Sequence, residues 1–474
     1  MSLQLTVSQI ARAVDGRHAG PDAPVNGVGT DSRTLRPGEL FIALKGERHD
    51  GHAFIRQAMD NGAAAAMVSE ALDVELPSVR VGDCLEGLAR LAAFWRERFS
   101  IPLVAVTGSN GKTTVKEMTA AILRRRGRVL ATEGNRNNEI GMPLTLLNLG
   151  PEHRCGVIEM GANHAGEIAR LCAVARPTVA VVTNAGPAHL EGFGSLDGVA
   201  RAKGELFAGL PASAIAVINA DDRYYPLWRE LVDGRDFITF AMEHDAEVTA
   251  SGVRHTGEGI AFELHAGEDR RPVTLALAGV HNVRNALAAA AAALAAGAGL
   301  DDVVAALAAV TPVRGRLCVK PGPNGARLID DSYNANPSSL KAALETLADM
   351  PGEKLVVLGD MYELGEAADA LHEDAGRWVK AAGVSRLYAV GEASRHAVQA
   401  FGAGGRHFGD RAALIAALKG DLDEAAPGAC VLIKGSRGMA MEAVVEALTG
   451  GGAHAGGSPP ADVKHRAAVA QGQG

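Results

Sequence analysis

Short apolar runs alternate along this chain with longer stretches in which apolar residues recur every three or four positions. The runs read as buried strands and the recurrences as amphipathic helices. Residues 1–84 open with a helix at 6–14, for which Thr6 is the N-cap candidate, and continue with a strand at 39–44. A helix at 50–62 and strands at 63–68 and 78–81 complete that stretch. A connector helix at 85–99 places Leu88, Leu91, Ala92 and Trp95 on one face. From residue 101, strands predicted at 103–106, 157–159, 179–183, 214–219 and 237–240 alternate with helices, the pattern of a parallel sheet covered on both faces. A β-rich insert at 246–277 follows, with turn chemistry at Gly257-Glu258-Gly259. An Ala-rich helix at 284–296 and another at 301–309 close the region, and Thr311-Pro312 reads as a linker.

A further unit begins near Arg314, with strands predicted at 327–330, 354–358, 387–390 and 430–433 between helical segments. The expected fold is therefore α/β in three domains. A small N-terminal α/β domain (1–84) is joined by the connector (85–100) to a central parallel-sheet domain with a β insert (101–313). A Rossmann-like doubly wound domain (314–450) follows. After Gly450 the composition turns to Gly, Ala, His, Pro and Ser without apolar period, so 451–474 is expected to be a disordered tail.

Composition narrows the functional classes. At 474 residues, 47% hydrophobic and 22% charged, the chain suits a soluble enzyme of several domains. A formal charge of −8 offers no footprint for nucleic acid or an anionic membrane. Five scattered cysteines without C-x-x-C spacing predict neither a disulfide framework nor a zinc site. The longest uncharged stretch in the middle, 286–300, is too short to span a bilayer, and no signal-peptide pattern opens the chain. A cytoplasmic location is expected.

The chemistry concentrates after the strand at 103–106, which feeds Thr107-Gly108-Ser109-Asn110-Gly111-Lys112-Thr113 and then a helix. A strand, a glycine-rich turn and a helix N-terminus aim several N–H groups at one point, where Lys112 meets terminal phosphates and the Thr113 hydroxyl meets Mg²⁺. Val106 occupies the place of the first glycine in the common phosphate-loop pattern, so the alternative is an ordinary βα turn. Glu159 ends the next strand, where a carboxylate beside a phosphate loop is the expected Mg²⁺ partner. His189 follows the strand after that and reads either as a second metal ligand or as a hydrogen-bonded loop histidine. Lys203, early in a helical segment, reads from composition as a solvated lysine. Asn282 and Asn285 share a helix face at i, i+3 and suit an adenine edge, although Asn282 could equally be an N-cap. Asp330 to Pro337 could cap the next helix or meet a ribose.

Taken together, TGSNGKTT, GNRNNEIGMP, IEMGAN, NAGPAHLEGFGS, HNVRNA and DDSYNANP resemble the Mur ligases, ATP-dependent amide-forming enzymes of peptidoglycan synthesis. The likeness runs from about residue 26 to about 448. Within the family it implies the ligase that joins D-alanyl-D-alanine to a UDP-N-acetylmuramoyl tripeptide through an acyl phosphate. It implies ATP held by Thr107, Gly108, Ser109, Asn110, Gly111, Lys112 and Thr113, with Asn138 or its neighbour Asn137 near the phosphates. It places Thr113, Glu159 and His189 around two magnesium ions, with Lys203 carried as a carbamate and counted with the metal set; Lys112, Glu159, His189 and Lys203 form the implied catalytic group. Asn282 and Asn285 would contact adenine, and Arg316 and Asp331 would reach the nucleotide from the third domain. Ser32, Arg33, Lys45 and Gly46 resemble the uridine-nucleotide docking segment, and Lys434, Ser436 and Arg437 an element near the incoming amine. The implied partners are those two small-molecule substrates, with no nucleic acid, no membrane insertion and a monomeric chain. Folylpolyglutamate synthase shares the shortened loop but generally lacks a uridine-nucleotide domain; a nucleotide-dependent switch ATPase would hydrolyse ATP without an acceptor. Three substrates on three domains imply a third domain that closes about 309–315.

Overall fold

A computed structural model describes residues 3–46, 49–256, 259–424 and 427–450. Two compact units emerge, one of residues 3–186, 192–276 and 281–310 and the other of 187–191, 277–280 and 311–450. The proposed turn residues 257–258 and the proposed tail, 451–474, lie outside the described residues.

The first unit carries two large sheets. The N-terminal one has five strands in the order Arg17–Ala19, Ser78–Arg80, Ala65–Val68, Leu40–Ile42, Val28–Gly29, parallel except at the Arg17–Ala19 edge. The second has nine, running Arg128–Ala131, His153–Glu159, Leu103–Thr107, Val179–Val182, Ile215–Asn219, Phe237–Ala241, Val248–His255, Ile260–Ala266 and Asp269–Leu275. Its first seven strands are parallel and the last two antiparallel, so the β-rich insert extends the sheet instead of forming a separate layer. Leu103–Thr107 is buried at every position, as a strand covered on both faces must be. The chain leaves it, crosses to the Arg128–Ala131 edge, returns through His153–Glu159 on one side and then moves to Val179–Val182 on the other. Strand order reverses at Leu103–Thr107, which is where ligands collect in open α/β sheets.

The connector does more than connect. Helix Cys84–Arg96, capped by the Asp83 carboxylate on the Leu85 and Glu86 N–H groups, buries Leu88 and Leu91 in one continuous core. That core holds Leu40 and Met67 of the N-terminal sheet together with Leu103 and Met142 of the central one. The Trp95 indole N–H donates to the Leu149 carbonyl at 3.0 Å. Apolar burial across this helix joins the two sheets into one unit.

The second unit is a six-stranded sheet, Cys318–Pro321, Arg327–Asp331, Cys430–Lys434, Lys354–Gly359, Arg386–Val390 and Gly405–Phe408, parallel except for its first strand. The α/β expectation with mostly parallel sheets holds. Seven of the described strands are absent from the sequence reading: five of them, Arg17–Ala19, Val28–Gly29, Arg128–Ala131, Cys318–Pro321 and Gly405–Phe408, are edges of the large sheets with only partial burial, and Leu5–Thr6 and Pro24–Val25 form a two-stranded ribbon. Edge strands lack the unbroken apolar run that marks interior ones. All five cysteines are buried free thiols, and among the described residues no helix is long and apolar enough to cross a membrane.

Candidate active site

The phosphate loop is built where the sequence places it. Strand Leu103–Thr107 ends in the turn and helix Lys112–Arg124 starts at Lys112. Gly108 and Gly111 are required by geometry. Gly108 has φ +142° and a Cβ there would lie 2.0 Å from Thr183 Oγ1; Gly111 has φ +81° and a Cβ would meet Asn285 Oδ1 at 2.4 Å. The Ala-rich helix His281–Ala295 thereby comes against the loop, with Asn285 Nδ2 donating to Asn282 Oδ1 at 3.0 Å inside the protein. Asn282 lies within the helix and does not cap it. Lys112 Nζ donates to the carbonyls of Gly108 (2.7 Å) and Ser109 (3.2 Å), folding over the loop it belongs to.

The neighbouring segment 183–186 props this loop, a role the sequence reading missed. Thr183 Oγ1 donates to the Asn110 carbonyl at 2.6 Å, and Asn184 Oδ1 accepts from the Asn110 N–H at 3.0 Å. Ser109 N–H donates to the Asn184 carbonyl, and Ser109 Oγ exchanges hydrogen bonds with Gly186. Asp222 in turn accepts from the Ala185 N–H at 2.8 Å. The only sequence signal for this prop was the run of polar residues directly after a buried strand.

On the opposite flank, Glu159 is 3% exposed. Its Oε1 accepts from Asn137 Nδ2 at 2.7 Å, whereas Oε2 is buried and has no hydrogen-bond partner among the described residues. A buried carboxylate oxygen left unpaired is costly, so it marks a place for a cation or proton from outside the chain. Asn138 Oδ1 accepts from the N–H groups of Ile140 and Gly141, which makes Asn137 the member of the pair at the carboxylate.

Lys203 overturns its composition-based reading as a solvated lysine. It is 1% exposed in helix Leu196–Ala208, its Nζ donating to the Ala162 carbonyl at 3.2 Å and lying 5.0 Å from the centre of the Phe193 ring. Burial, reinforced by the nearby Lys112 charge, pushes its ammonium down to about 7 from 10.5. Its sequence did carry a signal: Val199, Ala200, Leu206 and Phe207 stand three or four positions away and all face the core. Among the described residues no cluster of three or more His, Cys, Asp or Glu side chains forms a ready-made metal cage. One free carboxylate oxygen beside a phosphate loop instead fits Mg²⁺, which usually binds through one or two carboxylates plus substrate phosphates.

The family model of the Mur ligase middle domain matches residues 106–293, that of the Mur ligase glutamate ligase domain 315–437, and that of the Mur ligase family catalytic domain 24–122. The UDP-N-acetylmuramoyl-tripeptide–D-alanyl-D-alanine ligase of Escherichia coli is 46% identical over 94% of this chain and 98% of its own length. This chain belongs to the Mur ligase family. Among solved structures, crystal structure I of MurF from Acinetobacter baumannii is 35% identical, with TM-score 0.91 over 95% of this chain and 99% of that one. MurF ligase from Thermotoga maritima in complex with ADP is 30% identical, with TM-score 0.82 over 90% of this chain and 97% of that one.

The remaining residues singled out in this Mur ligase fall into two groups. In the first unit, Ser32 is buried with its hydroxyl donating to Gln57 Oε1 at 2.7 Å, while exposed Arg33 pairs with Asp31 at 2.7 Å. Lys45, beside Gly46, is exposed and lies 3.5 Å from Asp50. In the second unit, His189 Nδ1 lies against a Glu363 carboxylate oxygen. Arg316 and Arg437 approach the same Tyr333 ring, at 4.5 and 5.6 Å. Lys434 is buried, ion-paired with Asp331 and bonded to the Asn334 carbonyl. Burial pushes the Asp331 carboxyl up and the Lys434 charge pulls it back. The Ser436 hydroxyl accepts from the Tyr362 N–H at 2.8 Å. The question left open at Asp330 to Pro337 divides by residue: Asn336 caps helix Pro337–Ala348, and Asp331 does not.

Proposed function

We propose that this Mur ligase adds D-alanyl-D-alanine to a UDP-N-acetylmuramoyl tripeptide at the expense of ATP, in peptidoglycan precursor synthesis. Near full-length similarity to ligases of that name supports the substrate pair. The observation that carries the chemistry is one unit holding the propped phosphate loop, the unpaired Glu159 oxygen and the buried Lys203 together.

A carboxylate is a poor electrophile. The γ-phosphoryl group of ATP therefore passes to the tripeptide carboxylate, giving an acyl phosphate and ADP. The dipeptide amine attacks the acyl carbon, and the tetrahedral adduct collapses to amide and phosphate with loss of the amine proton. Such transfer depends mainly on positioning and charge neutralisation. Loop N–H groups and the start of helix Lys112–Arg124 orient the triphosphate, and Lys112 swings from its own loop carbonyls toward phosphate oxygen. Glu159 Oε2 and the Thr113 hydroxyl would hold Mg²⁺; for His189 a metal role is proposed from the family resemblance alone. That ion would supply neutralisation of the developing phosphate charge. An amine depressed to about 7 is partly unprotonated at neutral pH, so Lys203 Nζ can add CO₂ to form a carbamate and release a proton to solvent. Addition turns a buried cation into an anion suited to the same metal set. Asn282 and Asn285 are proposed for adenine, and Arg316, Asp331, Lys434, Ser436 and Arg437 for the nucleotide and incoming amine. Ser32, Arg33, Lys45 and Gly46 are proposed for the uridine nucleotide.

Phosphate release measured with each substrate omitted in turn tests this function. Release should require ATP, the UDP-tripeptide and the dipeptide together. Release with ATP alone would favour a switch ATPase, and release supported by a folate and glutamate would favour a folylpolyglutamate synthase.

A further inference from the structure

Glu159 is held through its backbone as well as its side chain, and the backbone tether leads to two residues outside the site described above. Strand pairing between Arg128–Ala131 and His153–Glu159 ends at Ala131 opposite Val157, with Thr132 N–H donating to the Val157 carbonyl at 3.1 Å. The chain then turns away toward Asn137, and the Glu159 N–H would lose its place in the ladder. A side chain replaces the missing rung: Thr132 Oγ1 accepts from the Glu159 N–H at 2.9 Å. On the other flank the ladder continues, since Glu159 is opposite Val106 and Met160 N–H donates to the Val106 carbonyl at 2.9 Å.

Thr132 is itself anchored. Its carbonyl accepts from Lys116 Nζ at 2.8 Å, and Lys116 also pairs with Glu117. Both Thr132 and Lys116 are 1% exposed. Lys116 lies one turn after Lys112 in the helix that the phosphate loop opens. A buried ammonium is expensive unless paired, and an apolar residue would fill that position more cheaply if packing were its only task.

We infer that Thr132, anchored by Lys116, is a positioning residue that fixes the Glu159 carboxylate relative to the phosphate-loop helix. The inference rests on the reading that Glu159 Oε2 meets a divalent ion. Three links, helix to Lys116, Lys116 to Thr132, Thr132 to Glu159, turn the phosphate grip and the carboxylate into one mechanical piece. Outer partners bonded to a ligating side chain commonly contribute 10- to 100-fold to metal affinity, and a tether through the ligand's backbone belongs at the lower end of that range.

Mn²⁺ binding, read by electron paramagnetic resonance on the full-length protein with a non-hydrolysable ATP analogue, tests it. Thr132→Val should weaken Mn²⁺ binding about ten-fold while leaving affinity for the metal-free analogue near wild type. Thr132→Ser, which restores the hydroxyl, should recover most of the loss. Lys116→Met should shift Mn²⁺ affinity in the same direction, with Lys116→Arg recovering part; this pair carries the test if Thr132→Val does not fold. Wild-type Mn²⁺ affinity in Thr132→Val, alongside a Glu159→Gln variant that has lost it, would overturn the inference. Wild-type affinity in Glu159→Gln would instead overturn the metal reading of Glu159.

Discussion

The two neighbours of strand Leu103–Thr107 use their polar groups in opposite ways. Beyond Val179–Val182, the groups of Thr183, Asn184 and Gly186 are spent on holding the phosphate loop. Beyond His153–Glu159, a buried carboxylate keeps one oxygen without a partner, and the amine bonded at Ala162 lies close to neutrality. One flank has satisfied its hydrogen-bonding capacity and the other retains it. Preorganised cradles need the first condition, and sites that take up a metal or a carbon dioxide need the second. The contrast separates residues whose loss should damage geometry from those whose loss should damage chemistry.

The largest effect should come from Lys112, the one charged side chain carried by the cradle itself. Lys112→Met should lower kcat/KM for phosphate release by about 10³-fold, the scale of removing one charge-stabilising group from a phosphoryl transition state. Its thermal midpoint should stay close to wild type, because Lys112 Nζ donates to the Gly108 and Ser109 carbonyls, both within the loop that carries it. A loss below ten-fold would mean that the loop amides alone neutralise the phosphates.

Lys203 should lose chemistry while gaining stability. Lys203→Met is expected to lower activity about 10²-fold or more, and Lys203→Ala should recover part of its activity when short-chain carboxylic acids are supplied. Full activity of untreated Lys203→Ala would remove the carbamate. The stability effect has a definite sign. The folded state holds this ammonium at about 7 and the unfolded reference is 10.5, so the folded form binds fewer protons between those values. Stability from this group is complete above 10.5 and is lost as pH falls through about 7. Without added CO₂, Lys203→Met should therefore exceed the wild type in thermal midpoint most strongly below pH 7, the gap closing as pH rises toward 10.5. A gap that is constant with pH would mean the amine is not buried as a neutral group.

Legibility followed the same division. The phosphate loop was readable because glycine, lysine and threonine must stand in fixed order between a strand and a helix. Interior strands such as Val179–Val182 were readable because burial on both faces demands an unbroken apolar run. Arg128–Ala131 was not, since an edge strand is pinned by one neighbour and tolerates a polar outer side. Lys203 was misjudged from composition although its apolar neighbours at helical spacing placed it on the buried stripe; residue type was weighed above position. Asp222 was out of reach, because its bond to the Ala185 N–H joins positions 37 residues apart. Sequence left open which of Asn137 and Asn138 meets phosphate; what folding adds is that Asn137 bonds Glu159 whereas Asn138 accepts from the Ile140 and Gly141 N–H groups.

The smallest effect discriminates most finely, because it asks whether the propping flank does only geometric work. Thr183 Oγ1 bonds the Asn110 carbonyl and stands where a side chain on Gly108 would have to pass. Removing the hydroxyl in Thr183→Ala deletes one part-buried hydrogen bond, a cost of about 1 kcal/mol. If that cost falls on the loop conformation competent for ATP, the KM for ATP rises roughly five-fold and kcat is nearly unchanged. Thr183→Ser, which keeps the donor, should lie within about two-fold of wild type on both parameters. Steady-state kinetics with saturating UDP-tripeptide and dipeptide would separate the two constants. A fall in kcat without a change in KM would place Thr183 with the reacting groups, and the distinction drawn between the two flanks would then fail at its weakest point.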